Sequence, residues 1–335
     1  MRTRPTSVVP GSRAAHDGKM AAPSVESRRS LSFLDLAALL YLGAVWGAVF
    51  LFMRIAAPQV GPVWAADIRL LIGAAVLLVV AGGRTLPVVR GRVMSFLIVG
   101  ALFSALPFTF IAIATVTLPA GFAALLNAAT PLFTAAIGMA FLGNRPSARV
   151  IAGLIVGVVA VVVLVGWSPL EPTMTTILAV AAGLGAPASY AVAGNYVRAR
   201  MRDVEPTELA TGMVTAGALL ALPVAVLSGA PGTPNAEGIV SLIGVGVLST
   251  ALAWPVFFRV LRRTTATAAS TVTFIVPAFA LAFAAVVLGE PVGPELVVGF
   301  GLILVSLCLV LGIVPRVRVP IAARVARVSG GFGRP

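Results

Sequence analysis

Charge is what this chain has least of. Asp, Glu, Lys and Arg make up only 10% of its 335 residues, against roughly 25% in soluble proteins. With 59% hydrophobic residues and a mean hydropathy of +1.05, it has too few polar groups to coat a soluble globule. Cys308 is the sole cysteine, so no internal disulfide forms. The sole histidine, His16, lies in a polar N-terminal stretch. Without a Cys/His cluster, neither a metal site nor a cofactor such as haem is expected. No GxxxxGK[ST] loop is present, so ATP does not drive the chain through a P-loop of its own. Gly-x-Ser-x-Gly and His-Glu-x-x-His are absent too. The net charge of +13 would by itself point to nucleic acid. The basic residues instead fall between apolar runs, so a lipid bilayer is the expected partner and nucleic acid is not.

What the chain has is long apolar runs. A span needs roughly 20 apolar residues to cross about 30 Å of hydrocarbon. Ten runs qualify: 34–53, 63–82, 93–112, 118–142, 148–166, 174–196, 206–228, 238–258, 265–288 and 294–313. The runs are continuously apolar rather than alternating, which excludes a β-barrel and predicts helices. Residues 1–32 read as a disordered basic tail, and residues 314–335 as a second basic tail. The first run is full length and nine more follow, which argues against a cleaved signal peptide. Met20 is an alternative start, because residues 1–19 carry no structural signal. With the N-terminus inside, 22 of the 24 Lys and Arg residues fall on the cytoplasmic side. Only Arg54 lies outside, and Arg69 lies within a helix. An even number of spans also returns the C-terminus to the same side.

The chain matches itself. A shift of 146 residues lays Ser95 on Ser241, Gly100 on Gly246, Pro131 on Pro277, and Gly143, Gly153 and Gly166 on Gly289, Gly299 and Gly312. A shift of 144 lays Arg54 on Arg198, Pro62 on Pro206, Gly73 on Gly217, and Trp46 on Tyr190. This divides the spans into repeats at 33–167 and 173–313. Five helices is an odd number, so the repeats insert in opposite orientations. The expected fold is an all-α polytopic membrane protein of ten transmembrane helices in two inverted five-helix repeats. Inverted repeats are a device of secondary transporters, whose halves exchange conformations around a central site.

Particular stretches resemble the EamA family of the drug/metabolite transporter superfamily. They are LGAVWGAVFLF from Leu42, DIRLLIGAAVLL around Arg69, and two copies of a helical hairpin beginning at Ala123 and Ala269. Each copy has a mid-helix proline and a later glycine. The second carries Gly289-Glu290 at the helix end, where the first has Gly143-Asn144. The resemblance implies a ten-helix bundle around a central cavity lined by helices 1–4 and 6–9, with helices 5 and 10 peripheral. It also implies movement of small metabolites, often amino-acid export. The Asn144 departure implies an altered cap or gate in the first half.

Individual residues carry two readings each. Arg69 is the one basic residue well inside a span, where a charge costs several kcal/mol unless paired or hydrated. It binds a substrate carboxylate, or it forms a structural pair. Asp67, on another face of the same helix, is a proton-coupling candidate or a group stabilised by the helix dipole. Asn127 and Thr273 precede Pro131 and Pro277 by one turn. A mid-helix proline kinks the helix and frees a carbonyl, which binds substrate or is satisfied by a neighbouring Ser, Thr or water. Trp46, Tyr190 and Trp254 lie at mid-depth, as cavity walls that stack on a flat solute or as packing between helices. Gly153 and Gly157 have GxxxG spacing, which permits close helix contact and, on the fifth helix, a homodimer.

Three functions compete. A secondary transporter of a small organic solute in the plasma membrane agrees with the repeat and the resemblance. A passive facilitator or channel shares the same features, and the scarcity of deep acids leans toward it. A membrane-embedded transferase would need clustered Asp, Glu or His, which the spans lack.

Overall fold

The computed structural model describes residues 33–81, 85–142, 147–167, 170–263 and 272–311. The two tails, residues 82–84, Asn144 and the side chain of Thr273 lie outside the described residues. Every regular element among the described residues is helical. Seven of these segments are long and apolar enough to cross a membrane. Three shorter apolar helices, Ala148–Leu164, Ile275–Leu288 and Pro294–Val310, accompany them. These helices overlap the apolar runs of the sequence, of which residues 265–271 lie outside the described residues.

The chain opens with α1 (Phe33–Val60) and α2 (Pro62–Ala81). Gly61, at φ 88°, makes the sharp turn between them, a backbone conformation that glycine adopts without strain. A short α3 (Thr85–Gly91) then leads into α4 (Val93–Gly100), a π turn (Ala101–Ala105) and α5 (Leu106–Thr117), which run as one segment. The expected single span at 118–142 is broken into α6 (Ala120–Asn127) and α7 (Thr130–Leu142). Next come α8 (Ala148–Gly166), α9 (Met174–Arg200) and α10 (Pro206–Leu227). A second composite segment follows: α11 (Ala236–Gly246), a π turn (Val247–Leu252) and α12 (Ala253–Arg263). The last two are α13 (Val272–Leu288), continuous through Pro277, and α14 (Pro294–Leu311).

The break after Asn127 has a local cause. Pro131 has no N–H to offer the Asn127 carbonyl one turn back. The Thr130 hydroxyl donates to that carbonyl instead, at 2.8 Å. The freed carbonyl is therefore satisfied within its own helix pair, and the satisfied-kink alternative holds at this proline.

Both π turns occupy positions related by the 146-residue shift. A π turn widens the helix and weakens its ladder, so its carbonyls need outside donors. For the second turn, Tyr41 Oη donates to the Leu248 carbonyl at 3.1 Å and Trp46 Nε1 to the Ser249 carbonyl at 3.2 Å. For the first, Ser189 Oγ of α9 donates to the Leu102 carbonyl at 2.7 Å. Thus α1 serves the second turn and α9 the first. The next helices repeat the exchange. A Cβ at Gly73 of α2 would lie 2.7 Å from Thr250 Cγ2, and one at Gly217 of α10 would lie 2.6 Å from Ser104 Cβ. Any larger residue at either position would push the helices apart.

On another side of the bundle α8 packs along α14, where Ser306 Oγ donates to the Gly153 carbonyl at 2.7 Å. Gly153 lies against Leu309 and Val310, and Gly157 against Leu132 and Ser306. The space beside these two glycines is thus filled within the chain by α14 and, at Gly157, also by Leu132 of α7. The outward side chains of α8, Ile151, Ile155, Val158 and Val162, are exposed and apolar. Such a stripe suits contact with lipid.

Candidate functional site

A cavity of about 180 Å³ lies where the exchanged helices meet. Seven of its sixteen lining residues are aromatic. Trp46 of α1, Phe103 of the first π turn, Tyr190 of α9, and Trp254 and Phe257 of α12 form a connected set of rings. The Trp46 and Trp254 centroids are 5.2 Å apart, and Phe103 meets Trp254 edge-on at 5.1 Å. These are ordinary aromatic packing distances. Each ring still presents part of its surface to the space between.

Arg69 and Asn127 are two of the polar groups in this wall. Arg69 is 2% exposed and lies on the cavity side of α2. Its Nε donates to Thr250 Oγ1 at 2.8 Å, and that hydroxyl donates in turn to the Val245 carbonyl at 2.9 Å. Its guanidinium carbon stands 3.6 Å from the centroid of the Phe108 ring, a cation–π contact. The Nη1 atom is buried with no hydrogen-bond partner. Among the described residues Arg69 has no ion-pair partner. The structural-pair alternative therefore finds a hydroxyl and a ring, but no carboxylate. The second polar group is Asn127, at the α6–α7 break, whose Oδ1 is also buried and unpartnered.

The structure thus brings Trp46, Arg69, Asn127, Tyr190 and Trp254 to one cavity, with Pro277 in its wall. Pro131 sits beside the break but is not in the lining. Asp67 is fully buried on the other side of α2 from the cavity lining, with neither carboxylate oxygen hydrogen-bonded. Thr250, Thr130, Phe103 and Phe257 complete the site. The repeat alignment held a signal for Thr250, which falls on Ser104, another hydroxyl. Nothing in the sequence singled out the two phenylalanines.

A second polar cluster lies at one end of the bundle. Arg54, near the end of α1, donates to the Thr115 and Val116 carbonyls at 3.0 and 2.7 Å. It also pairs with Glu290 at 3.4 Å. Glu290 Oε2 in turn accepts from the Ala120 N–H at 2.9 Å, capping the start of α6. One carboxylate after α13 thereby joins α1, α5 and α6.

Comparison with known proteins decides the family. The model of the EamA-like transporter family matches twice, over residues 34–166 and 177–312. The chain belongs to the EamA-like transporter family. The "Uncharacterized transporter YvbV" of Bacillus subtilis (strain 168) is 27% identical over 281 residues, which span 81% of this chain and 90% of that protein. A solved structure described only as the crystal structure of a protein superposes with a TM-score of 0.61 at 17% identity. It covers 82% of this chain and 96% of that one, and speaks for the fold alone. The EamA-like chain is thus a multi-pass membrane protein of a transporter family.

Proposed function

We propose that this EamA-like chain is a secondary transporter that moves a small organic metabolite across the plasma membrane by alternating access. Export of an amino acid or a related compound is the specific activity. The ten apolar helices are ten spans with both termini cytoplasmic, and the two halves are inverted repeats. The paired π turns, each served by the first helix of the other half, support that reading. So does the double family match.

The observation that carries the proposal is the aromatic cavity with a buried, unpartnered guanidinium nitrogen at the crossing of the halves. A buried charge left without its counter-charge is costly. A solute that supplies an anionic group removes that cost on binding. Two halves that grip one site from both sides present it alternately to each face when they rock. Arg69 and Asn127 bind the polar end of the solute, and Trp46, Tyr190 and Trp254 its body. Pro131 and Pro277 kink their helices.

A facilitator is the second reading, because no acidic side chain is among the described residues lining the cavity. Asp67 is the candidate for proton coupling, buried one helix face away. Flux in liposomes reconstituted with the purified protein separates the two. Uphill movement of a labelled solute under a proton gradient, abolished in Asp67→Asn, establishes coupling. Flux that only equilibrates establishes facilitation. Absence of flux for every amino acid and carboxylic acid contradicts the transport proposal.

A further inference from the structure

The charge balance of the cavity narrows the solute class. This step rests on the transport proposal. Among the described residues lining the cavity, Arg69 is the one charged side chain. The remaining polar groups are the Asn127 amide, the Thr130 hydroxyl, the Tyr190 phenol and indole N–H groups. The Thr130 hydroxyl and the Trp46 N–H are already donating, to the Asn127 and Ser249 carbonyls. Trp254 Nε1, in contrast, is buried and unpartnered, a further donor. The buried unpartnered atoms are thus two N–H donors, one of them cationic, and the Asn127 amide oxygen, while the Tyr190 and Thr130 hydroxyl oxygens remain as neutral acceptors.

That set fits an anion. A carboxylate brings two acceptor oxygens and a unit negative charge, matching Arg69 Nη1 in both respects. A zwitterion brings an ammonium as well, which needs up to three acceptors and a counter-charge. Asn127 Oδ1 and the two hydroxyl oxygens offer acceptors but no counter-charge, and the cationic arginine repels the ammonium. The ring faces stabilise a cation weakly by comparison. The cavity also fixes size. An apolar cavity of about 150 Å³ accepts a benzene, so about 180 Å³ takes one ring with a short chain.

We infer that the preferred solute is a flat or aromatic monocarboxylate without an ammonium group, of net charge −1. The related compounds that lack the amine are thus favoured over the amino acids themselves.

The test uses one ring scaffold in four charge states: 3-phenylpropionate, phenylalanine, 3-phenylpropanol and phenethylamine. Binding to the full chain in nanodiscs is read by quenching of the cavity tryptophans, Trp46 and Trp254. 3-Phenylpropionate is expected to bind at least about tenfold more tightly than the other three, as befits a desolvated charge pair. Arg69→Met removes that advantage. Asn127→Asp supplies the missing acid and shifts the preference toward phenylalanine, a gain that a misfolded variant cannot mimic. Phenylalanine binding as tightly as 3-phenylpropionate in the unaltered protein overturns the charge inference and leaves the transport proposal standing. Phenethylamine binding most tightly does the same. If none of the four quenches, the solute-class inference falls, and the liposome flux measurement decides the transport proposal by itself.

Discussion

The two stretches related by the 146-residue shift each carry a π turn and differ in where they place charge. In the second half Thr250 Oγ1 accepts a hydrogen bond from Arg69 Nε and donates one to the Val245 carbonyl. In the first half the matching hydroxyl, Ser104, is fully buried and has no partner. The residue that the 144-residue shift lays on Arg69 is Met213, also fully buried. The π turns themselves therefore do not depend on the arginine, since the first half builds one without it. The arginine uses a hydroxyl that the fold already provides. The bundle end tells the same story. Glu290 pairs with Arg54 and caps α6, whereas the sequence places Asn144 opposite Glu290 and Arg198 opposite Arg54. Symmetry supplies the frame, and departures from it supply the chemistry.

Substitutions that erase or install these departures test the comparison. The largest effect is expected for Arg69→Met, which gives α2 the residue found at the matching site of α10. Loss of a buried charge pair with an anionic solute corresponds to about 2–5 kcal/mol, so binding measured by tryptophan quenching falls by at least about thirtyfold. Met213→Leu, a volume-conserving change at the matching position, leaves binding unaltered.

Thr250→Val comes next. It removes the hydroxyl that orients the guanidinium, and a hydrogen bond to a charged group is worth about 1.5–3 kcal/mol. Affinity drops by at least about tenfold, and Thr250→Ser restores most of it. A purely steric role for Thr250 predicts the opposite ranking, with valine tolerated better than serine.

Glu290 separates capping from charge. Glu290→Ala loses both the Arg54 pair and the Ala120 cap and costs about 1–3 kcal/mol in chemical unfolding from detergent. Glu290→Gln keeps an acceptor for Ala120 and costs roughly half as much. Equal effects of the two would show that the ion pair contributes nothing. Asn144→Glu installs the acid on the other half. A gain of less than about 1 kcal/mol is expected if Arg198 answers it as Arg54 answers Glu290.

The smallest effect concerns Arg92 and Asp203, an exposed ion pair between the segment before α4 and the α9–α10 turn, with Arg92 Nη1 2.9 Å from Asp203 Oδ1. The hydrogen bond from Arg92 holds the Asp203 carboxyl below its usual value. A depressed carboxylate stabilises the fold above its unfolded pKa of about 3.9, and loses that contribution as pH falls through the folded value. Wild type and Asp203→Asn should therefore differ slightly at pH 6 and converge as pH falls through the lowered folded value of the carboxyl.

Helix positions were legible in the sequence because apolar runs of span length admit few alternatives, and seven helices long and apolar enough to span overlap those runs. Arg69 was legible because a lone charge in such a run stands out. So were Trp46 and Tyr190, which the repeat aligns. The break after Asn127 was only half legible. Pro131 announced a kink, but the Thr130 hydroxyl that satisfies it depends on a rotamer. Asp67 illustrates the converse, because helical periodicity put it on another face from Arg69 and the cavity lining excludes it. Phe103 and Phe257 were illegible, since one phenylalanine in an apolar run looks like any other until its neighbours across the bundle are known. The Arg54–Glu290 contact joins residues more than 230 positions apart, and no local pattern carries it.

The most direct test is a structure of the protein solved with 3-phenylpropionate. The account predicts density for the ring among Trp46, Trp254 and Phe257, with the carboxylate within hydrogen-bond distance of Arg69 Nη1. Density for the ligand elsewhere, with Arg69 Nη1 still unpartnered and the cavity filled by water or side chains, would contradict it.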